Sequence, residues 1–194
     1  MSKADIRRLA DLYCQSLPGD ILPMLGVAYV RCFYSAIARF KSEQVLVARD
    51  TENEIQAACI ISFFPQTLWR RAILRTSLTF LFYFIQRILV SKEFRGLLLA
   101  VCQSRSDFSK HAHSPEIAFV FTAPQSRGKN IGSRMLEFSR RHLMDGGYNE
   151  LYVRTLNTKE NRAIDFYNKN DFRGIGTMYF AGREYLVLKS TFQK

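Results

Sequence analysis

The segment EIAFVFTAPQSRGKNIGSRML, Glu116 to Leu136, constrains this chain more than any other stretch. An apolar run rich in β-formers stops at Pro124, and a helical apolar repeat starts at Ile131. Between them stand Arg127, Gly128, Lys129 and Asn130, with Gly132 and Ser133 just inside the helix. A strand–turn–helix corner leaves amides at the helix N-terminus free to hold an anion. The helix dipole adds roughly 0.3–1 kcal/mol of preference for negative charge there. Arg127 and Lys129 contribute full charges, while Gly128 and Gly132 let a ligand approach the backbone. No Gly-Lys-Ser/Thr ends the turn and no GxGxxG runs through it, so it is neither of those phosphate loops. Such a corner also caps helices that bind nothing, and by itself it names no ligand.

Around the corner the periodicities predict an α/β architecture, α+β in its mixed layers, as one domain over residues 1–194. ADIRRLADLYCQSL places Ile6, Leu9, Tyr13 and Leu17 at helical spacing and breaks at Pro18-Gly19-Asp20. Asp20 then caps a second helix, with Pro23 in its first turn, that runs to about Phe40. Strands QVLVARD and EIQAACIISFF follow, joined by a TEN turn. Residues 65–114 form a helical, basic insertion. After the corner, a helix runs from Ile131 to about Met144 with Ile131, Met135, Phe138 and His142 on one face, and Gly146-Gly147 ends it. YNELYVRTL is a strand and NRAIDFYNKN a short helix. RGIGTMYF and EYLVLKS are strands that turn at Ala181-Gly182-Arg183.

Composition narrows the class. With 194 residues, 47% of them hydrophobic, the chain can bury a real core. A net charge of +11 points to an anionic partner: a phosphorylated cofactor, nucleic acid or an anionic membrane. Nucleic acid is set aside, because no aromatic–basic interleaving or groove-reading motif accompanies the charge. Four cysteines without a CxxC pair suit reduced thiols better than disulfides or a metal site. His111 and His113 offer no third ligand, so no metal is expected, and His142 is a helix-face residue. The N-terminus carries acid and lacks an apolar run, which predicts no signal peptide. Ser77 to Val90, interrupted by Gln86 and Arg87, is too short to span a bilayer. The expectation is a cytoplasmic protein, with contact to the inner face of the membrane as a second possibility.

Pro124 and QSRGKNIGSRML, followed some thirty residues later by NRAIDFYNKNDF, resemble the GNAT superfamily of acetyl-CoA-dependent N-acyltransferases. The family corner reads Pro, two residues, Arg-Gly-x-Gly-x-Gly/Ala; here it is Arg127-Gly128-Lys129-Asn130-Ile131-Gly132. The later family motif, Asn-x-x-Ala-x-x-x-Tyr and then Lys-x-Gly-Phe, is matched by Ala163, Tyr167, Lys169 and Phe172. The resemblance is firm from Glu116 to Lys189, looser over 20–64 and absent over 65–114. It implies a GNAT-like, mostly antiparallel sheet with a splayed central strand pair between helices. It also implies that corner amides bind the pyrophosphate of acetyl-CoA, the acyl donor. Backbone from Phe119, Val120, Phe121 and Thr122 would serve the oxyanion, Tyr167 would be the general acid, and Glu116 a carboxylate base. Asn130 replaces a glycine, but asparagine tolerates left-handed backbone. Asp171 replaces the glycine before Phe172. The family asparagine falls on Glu160, leaving Asn157 and Asn161 as alternatives, and the usual first strand is missing.

Each of these residues has a plainer reading too: Tyr167 as a core tyrosine, Glu116 as an exposed strand end. In the insertion, eight Lys/Arg against two acids carry six of the eleven net charges. Leu74, Leu78, Leu81, Ile85 and Ile88, widened by Phe80, Phe82 and Phe84, form a helical stripe. That stripe is either core or a homodimer contact, or a basic amphipathic element for a membrane or a phosphorylated substrate. The function expected is acetyl transfer to a primary amine, first a small amine or amino sugar, then a protein N-terminus or lysine. A non-catalytic coenzyme A-binding or membrane-surface module is the alternative.

Overall fold

The computed structural model describes residues 1–17, 20–103 and 114–193. Pro18, Gly19, His111 and His113 lie outside them. Helix α1 (Lys3–Ser16) opens on a reciprocal cap, in which the Asp5 amide donates to the Ser2 hydroxyl at 3.1 Å and the Ser2 amide to the Asp5 carboxylate at 2.9 Å. The single helix expected from Asp20 to Phe40 is two: α2 (Ile21–Met24) and α3 (Val27–Ile37). Gly26, at φ 96° and ψ 151°, separates them, in a region of backbone space essentially reserved for glycine.

Strands β1 (Glu43–Arg49) and β2 (Ile55–Ser62) form a hairpin. The insertion then contributes three helices, α4 (Pro65–Arg75), α5 (Ser77–Val90) and α6 (Lys92–Gln103). Arg71 ties α4 down. Its guanidinium meets the Glu43 carboxylate at 2.6 and 3.0 Å, and the same carboxylate accepts from the buried Ser62 hydroxyl at 3.0 Å.

After β3 (Glu116–Thr122) a 3-10 turn at Pro124–Ser126 leads into α7 (Ile131–Asp145). Strand β4 (Glu150–Leu156), α8 (Arg162–Lys169), β5 (Arg173–Phe180) and β6 (Arg183–Thr191) complete the chain. Ala181 and Gly182, at φ 52° and 70°, make the left-handed turn of the last hairpin. The sheet order is β1-β2-β3-β4-β6-β5, antiparallel except for β3 with β4. It is the mixed, mostly antiparallel sheet expected.

Two apolar layers cover its faces. One packs α1 to α4 and α6 against Phe119 and Phe121; the other packs α7 and α8 against Ile117, Leu151, Val153 and Leu188. Helix α7 turns Met135, Leu136, Ser139 and Leu143 inward. Phe138, grouped with Met135 by spacing, is instead half exposed and stacks on His142, ring centroids 6.2 Å apart. The stripe of α5 divides as well. Ile88 packs inward with Phe80, Tyr83 and Phe84, whereas Leu78, Leu81, Phe82 and Ile85 face solvent. The core reading of that stripe therefore holds for one edge of the helix only.

Gly26→Ala tests the break between α2 and α3. A Cβ there would meet only the Arg87 guanidinium, at 3.5 Å, so the cost is conformational. Urea unfolding should show a loss of about 1–3 kcal/mol, and a neutral substitution would mean that the chain relaxes freely at this break.

Candidate active site

The site begins where β3 parts from β4. The two strands run parallel and pair only at Glu116↔Tyr152 and Ile117↔Val153. A register shift against β2 leaves Ala118 as an extra residue, since Ile60 pairs with Phe119 and Ile61 with Ile117. A bulge of this kind bends a strand and flips its faces. The flip is visible in the packing, because Ile117 belongs to the α7–α8 layer while Phe119 and Phe121 belong to the α1–α4 layer. Beyond Ile117 the β4-facing edge of β3 has no ladder, so its backbone polar groups are available to a ligand lying in the gap. The cofactor-binding candidates Phe119, Val120, Phe121 and Thr122 form that edge through their backbone. The Phe119 and Phe121 rings themselves are core.

Helix α7 starts at the far end of β3. Asn130 is left-handed (φ 59°, ψ 14°), as its replacement of a glycine requires, and Gly128 sits at φ 76°. Asn130 places no side-chain cap on the helix, so the first-turn amides of Ile131, Gly132 and Ser133 keep no intrahelical acceptor. Arg127, Gly128, Lys129 and Asn130 are exposed, and a Cβ at Gly128 would meet open space. Gly132 differs. A Cβ there would lie 3.2 Å from the Phe166 ring and 3.5 Å from Thr122 Oγ1, so this glycine lets α8 close on α7 as well as bounding the corner. Free amides, open backbone and two exposed cations fit a pyrophosphate.

Glu116 stands at the parting, 8% exposed. Both its oxygens accept from Arg154 of β4, each at 2.7 Å. Burial raises its carboxyl above the ordinary value, against the lowering pull of Arg154. The exposed-strand-end reading of Glu116 is thereby replaced: this carboxylate is buried and paired. Tyr167 lies on the opposite face, packed by Phe166 and Phe172 at 5.3 and 5.5 Å between centroids. Burial, then the neighbouring Cys59, pushes its hydroxyl well up, so it stays protonated. Asn161 caps α8: its carboxamide accepts from the Ala163 amide and donates to Thr155 Oγ1 and the Leu156 carbonyl. Asn157 is exposed and donates to Glu184 at 2.7 Å. Asp171 takes φ 61°, which explains the family glycine at this place.

Over Glu116, on the face of α1 to α3, opens a cavity of about 550 Å³. Its floor is the start of β3 with Arg154, and its walls come from α2 and α3, from the helices α4 to α6, and from the final hairpin. Sequence reasoning missed Arg154, Asp20 and Trp69 here. A lone charge inside the strand-like run LYVRT was the one available sign of Arg154. Among the described residues no cluster of three His, Cys, Asp or Glu could hold a metal.

The family model described as an acetyltransferase (GNAT) domain matches residues 98–174, which take in the corner, Glu116 and Tyr167. No curated protein matches. Solved structures do. A histone acetyltransferase HPA2 and related acetyltransferase from Corynebacterium glutamicum is 17% identical at TM-score 0.63, with 100% of this chain and 94% of that one covered. An aminoglycoside 6'-N-acetyltransferase complexed with coenzyme A is 10% identical at TM-score 0.61, covering 100% and 93%. A ribosomal-protein-alanine N-acetyltransferase from Brucella melitensis is 14% identical at TM-score 0.59, covering 99% and 97%. At these identities the likeness speaks for the fold. Residues 98–174 thus match an acetyltransferase (GNAT) domain, and the chain over its whole length shares the fold of these N-acetyltransferase structures.

Proposed function

We propose that this chain acetylates a primary amine held in the cavity over Glu116, as one domain with a helical insertion. The observation that carries the reading is the parted pair β3–β4, with a bare helix N-terminus at its far end. The parting opens towards the cavity on one face and towards Tyr167 on the other. Bound acetyl-CoA supplies the acyl group on a thioester. The chain supplies the rest. Amides from Gly128 to Ser133 hold the pyrophosphate, with Arg127 and Lys129 adding charge. Asn157 keeps one amide proton beyond its Glu184 bond, whereas both protons of Asn161 are committed, so Asn157 is the asparagine able to donate to the donor molecule. Unpaired amides along Phe119 to Thr122 face developing oxyanion charge.

An alkylamine, reference value near 10, arrives protonated and must lose a proton. Glu116 takes it, and its basicity is raised by burial. Tyr167 donates to the departing thiolate. Reversing the corner charges with Arg127→Glu and Lys129→Glu should weaken acetyl-CoA binding by about tenfold or more, a factor of ten corresponding to about 1.4 kcal/mol. Both side chains are exposed, so the melting temperature should hold. Unchanged affinity by calorimetry would move the pyrophosphate elsewhere.

Tyr167→Phe keeps the ring and its packing and removes the acidic proton. Coenzyme A release should fall by roughly 10²–10⁴. Glu116→Gln should give a deficit that shrinks as pH rises, because more amine arrives deprotonated. Near-normal turnover of Tyr167→Phe, where chemistry limits the rate, would leave Tyr167 a packing residue alone.

We also propose that the outer face of α5 lies on an anionic lipid surface. Leu78, Phe82, Leu89 and Val90 are 84%, 64%, 73% and 74% exposed, a contiguous apolar patch on one helix. Arg70, Arg75, Lys92 and Arg95 are exposed around it, and Glu93 is the one acid among residues 65–103. A two-fold homodimer through this face would bring like charges together, whereas anionic lipid complements them. No single helix among the described residues is long and apolar enough to cross a membrane, and α4 and α5 meet at 91°. The protein should sediment with phosphatidylglycerol vesicles at low salt and release at high salt. Leu78→Glu with Phe82→Glu should abolish this. No sedimentation, with a solution dimer that the double variant dissolves, would assign the face to a second copy.

A further inference from the structure

We infer that the acceptor is a lipophilic primary amine, an ammonium carried on an alkyl or aryl body; this rests on the acetyl-transfer reading. The cavity has the size of a site for a small organic molecule, and side chains from α2 to α6, β3, β4 and the final hairpin line it. Its insertion wall is a continuous aromatic surface. Phe80 stacks against Phe84 at 5.1 Å and Phe84 meets Phe94 at 5.6 Å, while Tyr29 of α3 meets Phe80 at 5.6 Å. Trp69 extends that surface beside Phe33, at 5.2 Å.

The charges of the described lining sum to a negative value. Among the described residues Asp20 and Glu116 are its acids, and Arg154 is its cation, bidentate on Glu116. Asp20 accepts from the Ile21 amide at 2.7 Å and from the Tyr13 hydroxyl, so its carboxylate is fixed in direction at the mouth of α2. A carboxylate beside aromatic faces favours an organic cation through both charge and ring quadrupole. A polyhydroxylated amine would leave its hydroxyls against rings with no partner, which disfavours an amino sugar. A phosphorylated acceptor would meet two acids and one cation already engaged by Glu116. This acceptor departs from the expectation of an amino sugar or a phosphorylated acceptor, and is the small-amine alternative in a lipophilic form.

Trp69 is the one tryptophan in the chain and lines the cavity, so its fluorescence reports occupancy without chemistry. Hexylammonium and phenethylammonium, added to the full chain with coenzyme A present, should titrate Trp69 emission. They should do so at concentrations at least tenfold below ethanolammonium, glucosamine and hexanol. Asp20→Asn, which keeps the helix cap, should weaken hexylammonium and leave hexanol unchanged. Ethanolammonium or glucosamine binding as tightly as hexylammonium would overturn the inference, and so would hexanol binding equal to hexylammonium. Coenzyme A release from acetyl-CoA is then followed with the same amines. Tight binding of the lipophilic amines without release would sink acetyl transfer and leave the amine site standing. Release with hydrophilic amines alone would do the reverse.

Discussion

β3 and β4 exchange ladder bonds at Glu116 and Ile117 and then separate, and the candidate site is built on that separation. Two features impose it. The bulge at Ala118 turns β3 out of register with β2, and the Glu116–Arg154 pair clamps the strands where their ladder stops. Removing one partner of a buried ion pair costs several kcal/mol, because the other charge is left without compensation. The pair thus holds the strands together at the root of the opening while the bulge steers them apart. A closed sheet would give no passage between the two layers and no unpaired amides along β3.

The rest of the site is arranged around this opening. The far end of β3 delivers the chain to a turn whose left-handed residues, Gly128 and Asn130, aim the first amides of α7 outward. Gly132 allows α8 to approach until Phe166 touches the corner. That approach brings Tyr167 into the layer behind β3 and β4, where apolar packing keeps its hydroxyl protonated. One close approach therefore links the corner to the placement of Tyr167.

The insertion serves both sides of its own helices. Its inner edge, Phe80, Phe84 and Phe94, finishes the hydrophobic core and walls the cavity; its outer edge offers bare leucines ringed by arginines. The Arg71–Glu43 pair anchors it to the hairpin, so the apolar outer face is held out by structure rather than by looseness of the segment. Positive charge is placed on the outside of the molecule, at the corner and around α5, while the cavity between them carries carboxylates.

Local features were legible in the sequence because local physics makes them. Periodicity placed the helices and strands, and Pro124 with the glycines and Asn130 located the corner, since positive φ is a property of single residues. The split at Gly26 was missed for the complementary reason: a lone glycine inside an apolar repeat signals a break only when its backbone angles are known. The partnership of Glu116 with Arg154 spans 38 residues and depends on a register that the bulge sets. No spacing rule reaches across that distance. Likewise Asp20, read as a helix cap, became a carboxylate of the cavity only when α2 folded over β3, and the apolar stripe of α5 divided into a wall and a bare face only when α3 and α6 packed on one edge. The sequence by itself determined the order of elements and the strand–turn–helix corner. The tertiary structure decided which charges meet, where the sheet opens and which apolar face stays outside, because those outcomes follow from contacts between residues far apart in the chain.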